Sequence, residues 1–479
     1  MLDLYGSILE KALFPAYEAL RGRPTVPLLG RLLECERLPL AHLRALQLGS
    51  LRRLLRHAYL HTHHYRAVMD ERGIAPDRVS SLDDLARMPL LDRDTVRATM
   101  DTRTANFPPV AVEKTTSGTT GQPVVVRYCA ESRHWRDATR WRGYGWAGYT
   151  VGMRALHYWG FPPPQGSWLR RRKVQLDRLV KRDLYVDCTV RSEEAMAEAV
   201  AALERFRPQV IIAFSAGAAA LARFVNEQGV RRWRDIPVLL GAERLWPDER
   251  AAIAEAFGPA FETYGSRELM LMASECEAHD GMHTSMESMI IEVVVREPDG
   301  AVRPARAGET GEVAVTDLHN LACPMIRYLT GDLALQRGDE PCRCGRTLAR
   351  IGPIEGRVTE TLRDGQGRPV SGLVFNTLFG AIADVARGFQ VRQARDGRVT
   401  MKVVPAAGDR LPPATEELVR ATARRYLPGV RFEIEVVADI PLTPAGKRKV
   451  VVVEPPEPAG DEEDEAPPAL MIESAAPAP

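Results

Sequence analysis

The sequence predicts an α/β protein: a large N-terminal domain of mainly parallel sheet flanked by helices, with an added β region, then a small C-terminal α+β domain. Three observations carry this. Short apolar runs alternate with helix-length segments from about residue 105 to 260, which implies a parallel sheet covered on both faces. The runs from 290 to 316 alternate in polarity instead, as antiparallel strands do. Past Arg357 a compact segment of different texture follows. A chain of 479 residues, 45% hydrophobic, is long enough for two or three domains, each with its own core.

Residues 1–100 read as a mostly helical opening. The segment LAHLRALQLGSLRRLLRHAYLHTHHYRAVMDERG, 40–73, places apolar residues at three- and four-residue spacing with arginines between them. His57 and His61 share one face there. That spacing suits either a metal pair or a solvated face, and no carboxylate or cysteine joins them. Residues 124–128, 210–214, 237–240 and 261–264 read as buried strands. Residues 216–228 and 248–257 read as helices between them, the second opened by Pro247. Residues 290–295 and 312–316, separated by the turn Pro298-Asp299-Gly300, form the antiparallel region. The large domain is taken as 1–356 and the small one as 357–453. Within the latter, 399–404, 432–437 and 449–453 are strand-like and 415–426 is helix-like. Residues 454–479, with seven prolines and eight acidic residues, read as a disordered tail.

Composition excludes several classes. Net charge is +1, but the tail holds no basic residue, so residues 1–453 carry 64 basic against 55 acidic residues. No basic block is interleaved with aromatics, which argues against nucleic-acid binding. No run of about 18 apolar residues occurs, so no membrane span is expected. The start, MLDLYGSILE, lacks the basic flank of a secretory signal. Seven irregularly scattered cysteines fit a reducing cytosol better than a disulfide framework.

The sharpest local signal is Thr115-Thr116-Ser117-Gly118-Thr119-Thr120-Gly121-Gln122-Pro123. Five hydroxyls and two glycines there could wrap a phosphate chain, or form a Ser/Thr-rich hairpin turn. It lacks the Gly-Lys-Ser/Thr ending of a Walker A loop, and a strand follows it rather than a helix. Four further segments follow in order: Gly241-Ala242-Glu243, Tyr264-Gly265-Ser266-Arg267-Glu268, Arg327-Tyr328-Leu329-Thr330-Gly331-Asp332 and Pro441-Leu442-Thr443-Pro444-Ala445-Gly446-Lys447.

Together these segments resemble the core motifs of the acyl-adenylate-forming superfamily, and within it the phenylacetate–coenzyme A ligase branch. MPLLDRDTVR, IGPIEGR and the helical opening are similar to that branch too. The resemblance covers about residues 40–453. It implies that the loop, with Thr116, Ser117, Gly118, Thr119, Thr120 and Gly121, holds the β- and γ-phosphates of ATP. Ala242 and Glu243 would lie along the adenine, with Tyr264 stacked on its other face and Gly265 beside it. Glu268 would ligate magnesium, and Asp332 would receive the ribose hydroxyls. Arg357 would stand at the domain boundary and contact ribose or phosphate, and Lys447 would bridge the substrate carboxylate and the α-phosphate. The small domain would be mobile, rotating to withdraw Lys447 between half-reactions. Three departures stand out. Gln122 replaces a common lysine, Arg267 replaces a small hydroxyl residue, and Val-Thr-Glu follows Arg357 in place of paired aspartates. Arg267 could return the missing charge.

The resemblance thus implies a cytosolic enzyme that joins an acid, of aryl or arylacetic type by analogy with this branch, to coenzyme A through an acyl-adenylate. Carrier-protein or amine acceptors remain alternatives, as does a nucleotide-binding scaffold or sensor without turnover. The acid pocket is expected between residues 144 and 161 and around 215–217. Separately, Cys276, His283, Cys342 and Cys344 suit a closed tetrahedral zinc site with a structural role, or are unrelated loop thiols. His279 competes with His283 as the ligand. Cys35, Cys129, Cys188 and Cys323 read as core or surface thiols.

Overall fold

The computed structural model describes residues 3–115, 124–160, 168–188, 192–297, 299–357, 361–366, 369–371, 375, 378, 382, 384–441 and 449–454. The hydroxyl-rich loop 116–123, Lys447 and the tail 455–479 lie outside them.

In the helix Leu40–His61, Leu43, Leu51, Leu54, Leu55 and Ala58 recur at three- to four-residue intervals and are buried. Four of these, Leu51, Leu54, Leu55 and Ala58, pack with Ile290, Leu318 and Ile326, so the opening clamps the antiparallel region. The helix stops at Thr62, whose backbone turns extended and whose hydroxyl accepts from Tyr65 N at 3.2 Å. That cap starts the helix His63–Glu71, dividing the expected single run in two. His57 and His61 stack at 4.5 Å. They contact Leu321 O and Asn106 Oδ1 rather than water alone. The only metal-suited cluster among the described residues lies elsewhere.

The central element is one twelve-stranded sheet. Its parallel part comprises β3 (Ala155–Trp159), β4 (Asp183–Asp187), β5 (Val210–Phe214), β6 (Val238–Gly241) and β7 (Ala260–Ser266), in spatial order β4-β3-β5-β6-β7. Numbering of strands begins with a hairpin, β1 (Val112–Thr115) and β2 (Val125–Tyr128). From β7 the sheet continues antiparallel through β8 (Met270–Glu275), β9 (Met282–Thr284), β14 (Arg350–Arg357), β13 (Tyr328–Gln336), β12 (Thr310–Asp317), β10 (Met289–Arg296) and β11 (Val302–Pro304). The parallel segment and the β region are therefore one surface joined at β7.

Period-two alternation decides its two faces. Leu156, Ile211, Ala213, Val238 and Leu240 face helices Glu193–Phe206, Ser215–Gln228 and Pro247–Ala256. Ala155, Val210, Ile212, Leu239 and Phe261 face Trp141, Tyr144 and Tyr149 instead. Trp159 packs in this same layer. The run at 124–128 is displaced from expectation. It forms β2, paired antiparallel with β1 rather than set in the parallel sheet. Nine residues separate the two strands, fewer than the dozen or so that a crossover connection requires.

A four-stranded sheet follows, in order β19 (Phe432–Val436), β18 (Val399–Pro405), β17 (Ala386–Gln393), β20 (Val451–Val453), covered by the helix Pro413–Tyr426. Between it and the large sheet lies the hairpin β15 (Thr361–Arg363) and β16 (Pro369–Ser371). No helix among the described residues is long and apolar enough to cross a membrane.

Thr62→Ala removes a buried cap, and an unfolding midpoint in denaturant should record a loss of about 1 kcal/mol.

Candidate functional site

The C-terminal edge of a parallel sheet is where chains leave the strands as loops, and where open α/β proteins bind ligands. Here Ala242-Glu243 leave β6, Ser215 leaves β5, and the turn Arg267-Glu268 leaves β7. Ala242 takes φ +70°, a conformation that a residue with a Cβ seldom adopts. Glu243 Oε2 accepts from Ala216 N at 3.2 Å, and its carbonyl accepts from Ser215 Oγ at 3.1 Å. The carboxylate thus ties this loop to the first turn of the helix Ser215–Gln228.

Tyr264 is buried, and its hydroxyl lies 3.0 Å from Asp332 Oδ2 and 3.1 Å from Thr330 Oγ1. Burial, then the Asp332 charge, holds that phenol well above its ordinary pKa, so it stays a donor. Asp332 Oδ1 accepts from Arg357 Nε at 3.1 Å, and the two residues are register partners across β13 and β14. Both oxygens of Asp332 therefore have fixed directions.

Glu268 lies in the hairpin turn between β7 and β8, 5% exposed, with Tyr328 Oη at 3.4 Å and Arg93 Nη2 at 3.7 Å from Oε1. Its carbonyl accepts from Arg136 Nη1 at 2.6 Å. Arg136 also reaches Asp317 Oδ2 at 2.6 Å and Ser132 Oγ at 2.9 Å, with its guanidinium over the Tyr128 ring. Arg267 Nη1 donates to Thr115 O at 2.9 Å, the residue before the hydroxyl-rich loop. Glu268, Tyr264, Gly265, Asp332, Arg357 and Arg267 thus assemble at one edge, with Ala242 and Glu243 on the neighbouring strand exit. Arg93, Arg136, Tyr328 and Thr330 were not assigned from sequence. Arg93 sits in MPLLDRDTVR and Thr330 in the Asp332 motif, whereas Arg136 had no signal beyond an arginine in a helix.

At the same edge Trp159 and Phe214 rings lie 4.0 Å apart. Gly217 and Gly241 lie nearby. A Cβ at Gly217 would stand 3.2 Å from Cys188 Sγ, and one at Gly241 would stand 2.9 Å from Thr263 Oγ1.

The second cluster is distinct. Cys276 follows β8, His283 lies in β9, and Cys342 and Cys344 lie on the connection from β13 to β14. Their ligand atoms all lie within 4.8 Å of one another. Cys276 and Cys342 sulfurs are 3.7 Å apart, close to the roughly 3.8 Å edge of a tetrahedron with zinc–sulfur bonds of about 2.3 Å. His283 Nδ1 contacts Leu348 O at 3.0 Å, leaving Nε2 directed at Cys344, 3.3 Å away. Such an outer contact orients a ligating imidazole. Burial lowers the His283 pKa to about 4, so the ring is neutral at pH 7. Burial raises Cys276 to about 12 without an ion. Burial pushes Cys344 upward too, yet hydrogen bonds from Arg346 backbone and side chain and from its partner thiols hold it below its ordinary value. His279 is turned away, 3.4 Å from Glu275 Oε2.

No family model matches the chain. Among curated proteins it is 30% identical to the phenylacetate-coenzyme A ligase of Thermus thermophilus over 373 residues, covering 76% of this chain and 81% of that one. It is 31% identical to the enzyme of that name from Pseudomonas putida, over 67% and 72%. Among solved structures, a 2-hydroxyisobutyryl-CoA ligase in complex with 2-HIB-AMP superposes with TM-score 0.66 at 22% identity, over 88% and 91%. The fold is that of the adenylate-forming ligases. More narrowly, the chain belongs to the phenylacetate–coenzyme A ligase family of AMP-forming acid–thiol ligases.

Asp317→Asn leaves the Arg136 guanidinium buried without its counter-charge. Equilibrium denaturation should show a loss of about 3–5 kcal/mol.

Proposed function

We propose that the protein activates an aryl or arylacetic acid with ATP and passes the acyl group to coenzyme A. The observation that carries this is the convergence of Glu268, Asp332 and Arg357 at one strand edge, next to the base of the hydroxyl-rich loop, in a chain of this family. A carboxylate oxygen attacks the α-phosphorus, the bond to the β-phosphate oxygen breaks, and pyrophosphate leaves with that electron pair. The coenzyme A thiolate then attacks the acyl carbonyl and AMP departs. Asp332, with directions set by Tyr264 and Arg357, receives the ribose hydroxyls. Ala242 and Glu243 flank the adenine. The loop residues Thr116 to Gly121 donate to the phosphates, and Lys447 stands between the two reacting anions. Glu268 fits magnesium as a buried carboxylate whose main chain is held by Arg136. The ion, when bound, supplies charge neutralisation on the phosphates.

Trp159, half-buried beside Phe214, offers an aromatic surface for such an acid. The boundary near Arg357 is where the small domain turns between the half-reactions. Cys276, His283, Cys342 and Cys344 hold a structural zinc, because four protein ligands leave no open position for chemistry. Seven free cysteines fit a cytosolic site of action.

Lys447→Ala should slow adenylate formation about 10²–10³-fold, while thiol transfer from prepared acyl-adenylate persists. Lys449→Ala is the matched control. Rapid-quench measurement of each half-reaction checks this, and equal damage to both contradicts the assigned role. Elemental analysis should find one zinc per chain. Cys342→Ser should lower zinc content and melting temperature more than ATP affinity, and metal-free protein purified without chelator would refute the site.

A further inference from the structure

Arg93 opens the helix Arg93–Ala98, whose cap Asp92 accepts from Thr95 N at 2.8 Å. The segment before it is fastened to β13. Leu91 N donates to Arg327 O at 3.0 Å, and Leu91 O accepts from Leu329 N at 2.9 Å. Arg93 is therefore fixed to the strand that carries Asp332. Its Nη2 donates to Thr330 O at 3.3 Å and lies 3.7 Å from Glu268 Oε1. Its Nε is buried and has no hydrogen-bond partner among the described residues. The side chain is 31% exposed and also pairs with the Tyr328 hydroxyl.

Other cations nearby are engaged. Arg136 is shared among Ser132, Glu268 O and Asp317. Arg267 holds Thr115 O, and Arg357 holds Asp332. Lys114 lies over the Tyr128 ring with Nζ 3.9 Å from Met270 Sδ. The loop at 116–123 contains no basic residue. A triphosphate chain needs cationic partners, and a guanidinium offers a planar fork that matches phosphate oxygens.

We infer that Arg93 is a substrate-binding residue that holds the β,γ end of ATP and the departing pyrophosphate. This rests on the adenylation reading above. In the free protein Arg93 balances Glu268. With nucleotide and magnesium present, the carboxylate faces the ion and Arg93 turns its unused N–H groups to the phosphates. Arg93 thereby supplies the charge that Gln122 lacks, whereas Arg267 is committed to the base of the loop.

Calorimetric titration separates this role from a structural one. The probes are magnesium with the β,γ-methylene analogue of ATP, magnesium pyrophosphate, and AMP. Arg93→Gln keeps a donor for Thr330 O while removing the charge. It should weaken the analogue and pyrophosphate about 10- to 100-fold and leave AMP affinity unchanged. Arg93→Lys should recover most of the loss. Unaltered affinity for pyrophosphate in Arg93→Gln overturns the proposal alone, as does an equal loss for AMP and the analogue. Wild-type protein that binds neither nucleotide overturns the adenylation reading and the proposal with it.

Discussion

One buried guanidinium organises the site. Arg136, 4% exposed, cannot remain charged inside a protein unless its donors are met, because the desolvation of an unpaired cation is prohibitive. Its partners come from three places: Asp317 at the end of β12, the Glu268 carbonyl in the β7–β8 turn, and Ser132 on its own helix. The Tyr128 ring of the β1–β2 hairpin closes the remaining face. Satisfying this one group joins the antiparallel region, the turn that bears Glu268, and the hairpin that frames the hydroxyl-rich loop. The orientation of Glu268 follows from it.

The same strands carry the site at one end and the sulfur cluster at the other. β8 begins just after Glu268 and is followed by Cys276. β14 begins where Arg350 pairs with His283 and ends at Arg357, opposite Asp332. An ion joining Cys276, His283, Cys342 and Cys344 would lock the far ends of these strands without approaching the nucleotide. By that separation, a metal there would act on stability more than on nucleotide affinity.

Much of this was legible in the sequence, and the reasons differ by residue. The buried strands β5, β6 and β7 announce themselves as apolar runs bounded by turn residues. The helix Ser215–Gln228 has a clear period. Asp332, Glu268 and Tyr264 sat in motifs whose order pointed to the family. Three things were hidden. The antiparallel pairing of β2 depends on connection length, which an apolar run does not reveal. Arg93 and Arg136 act through contacts to residues more than 130 positions away, and local pattern contains no trace of such contacts. The choice of His283 over His279 also came from tertiary placement, since β9 pairs with β14 and carries His283 to the cysteines.

The central claim is that this strand edge joins a carboxylate to the α-phosphate of ATP. Acid-dependent exchange of labelled pyrophosphate into ATP, measured across a panel of carboxylic acids without any thiol present, tests it most directly. The account predicts exchange that requires an acid and magnesium and is fastest with aryl or arylacetic acids. Protein that binds magnesium-ATP yet shows no exchange with any acid would contradict it.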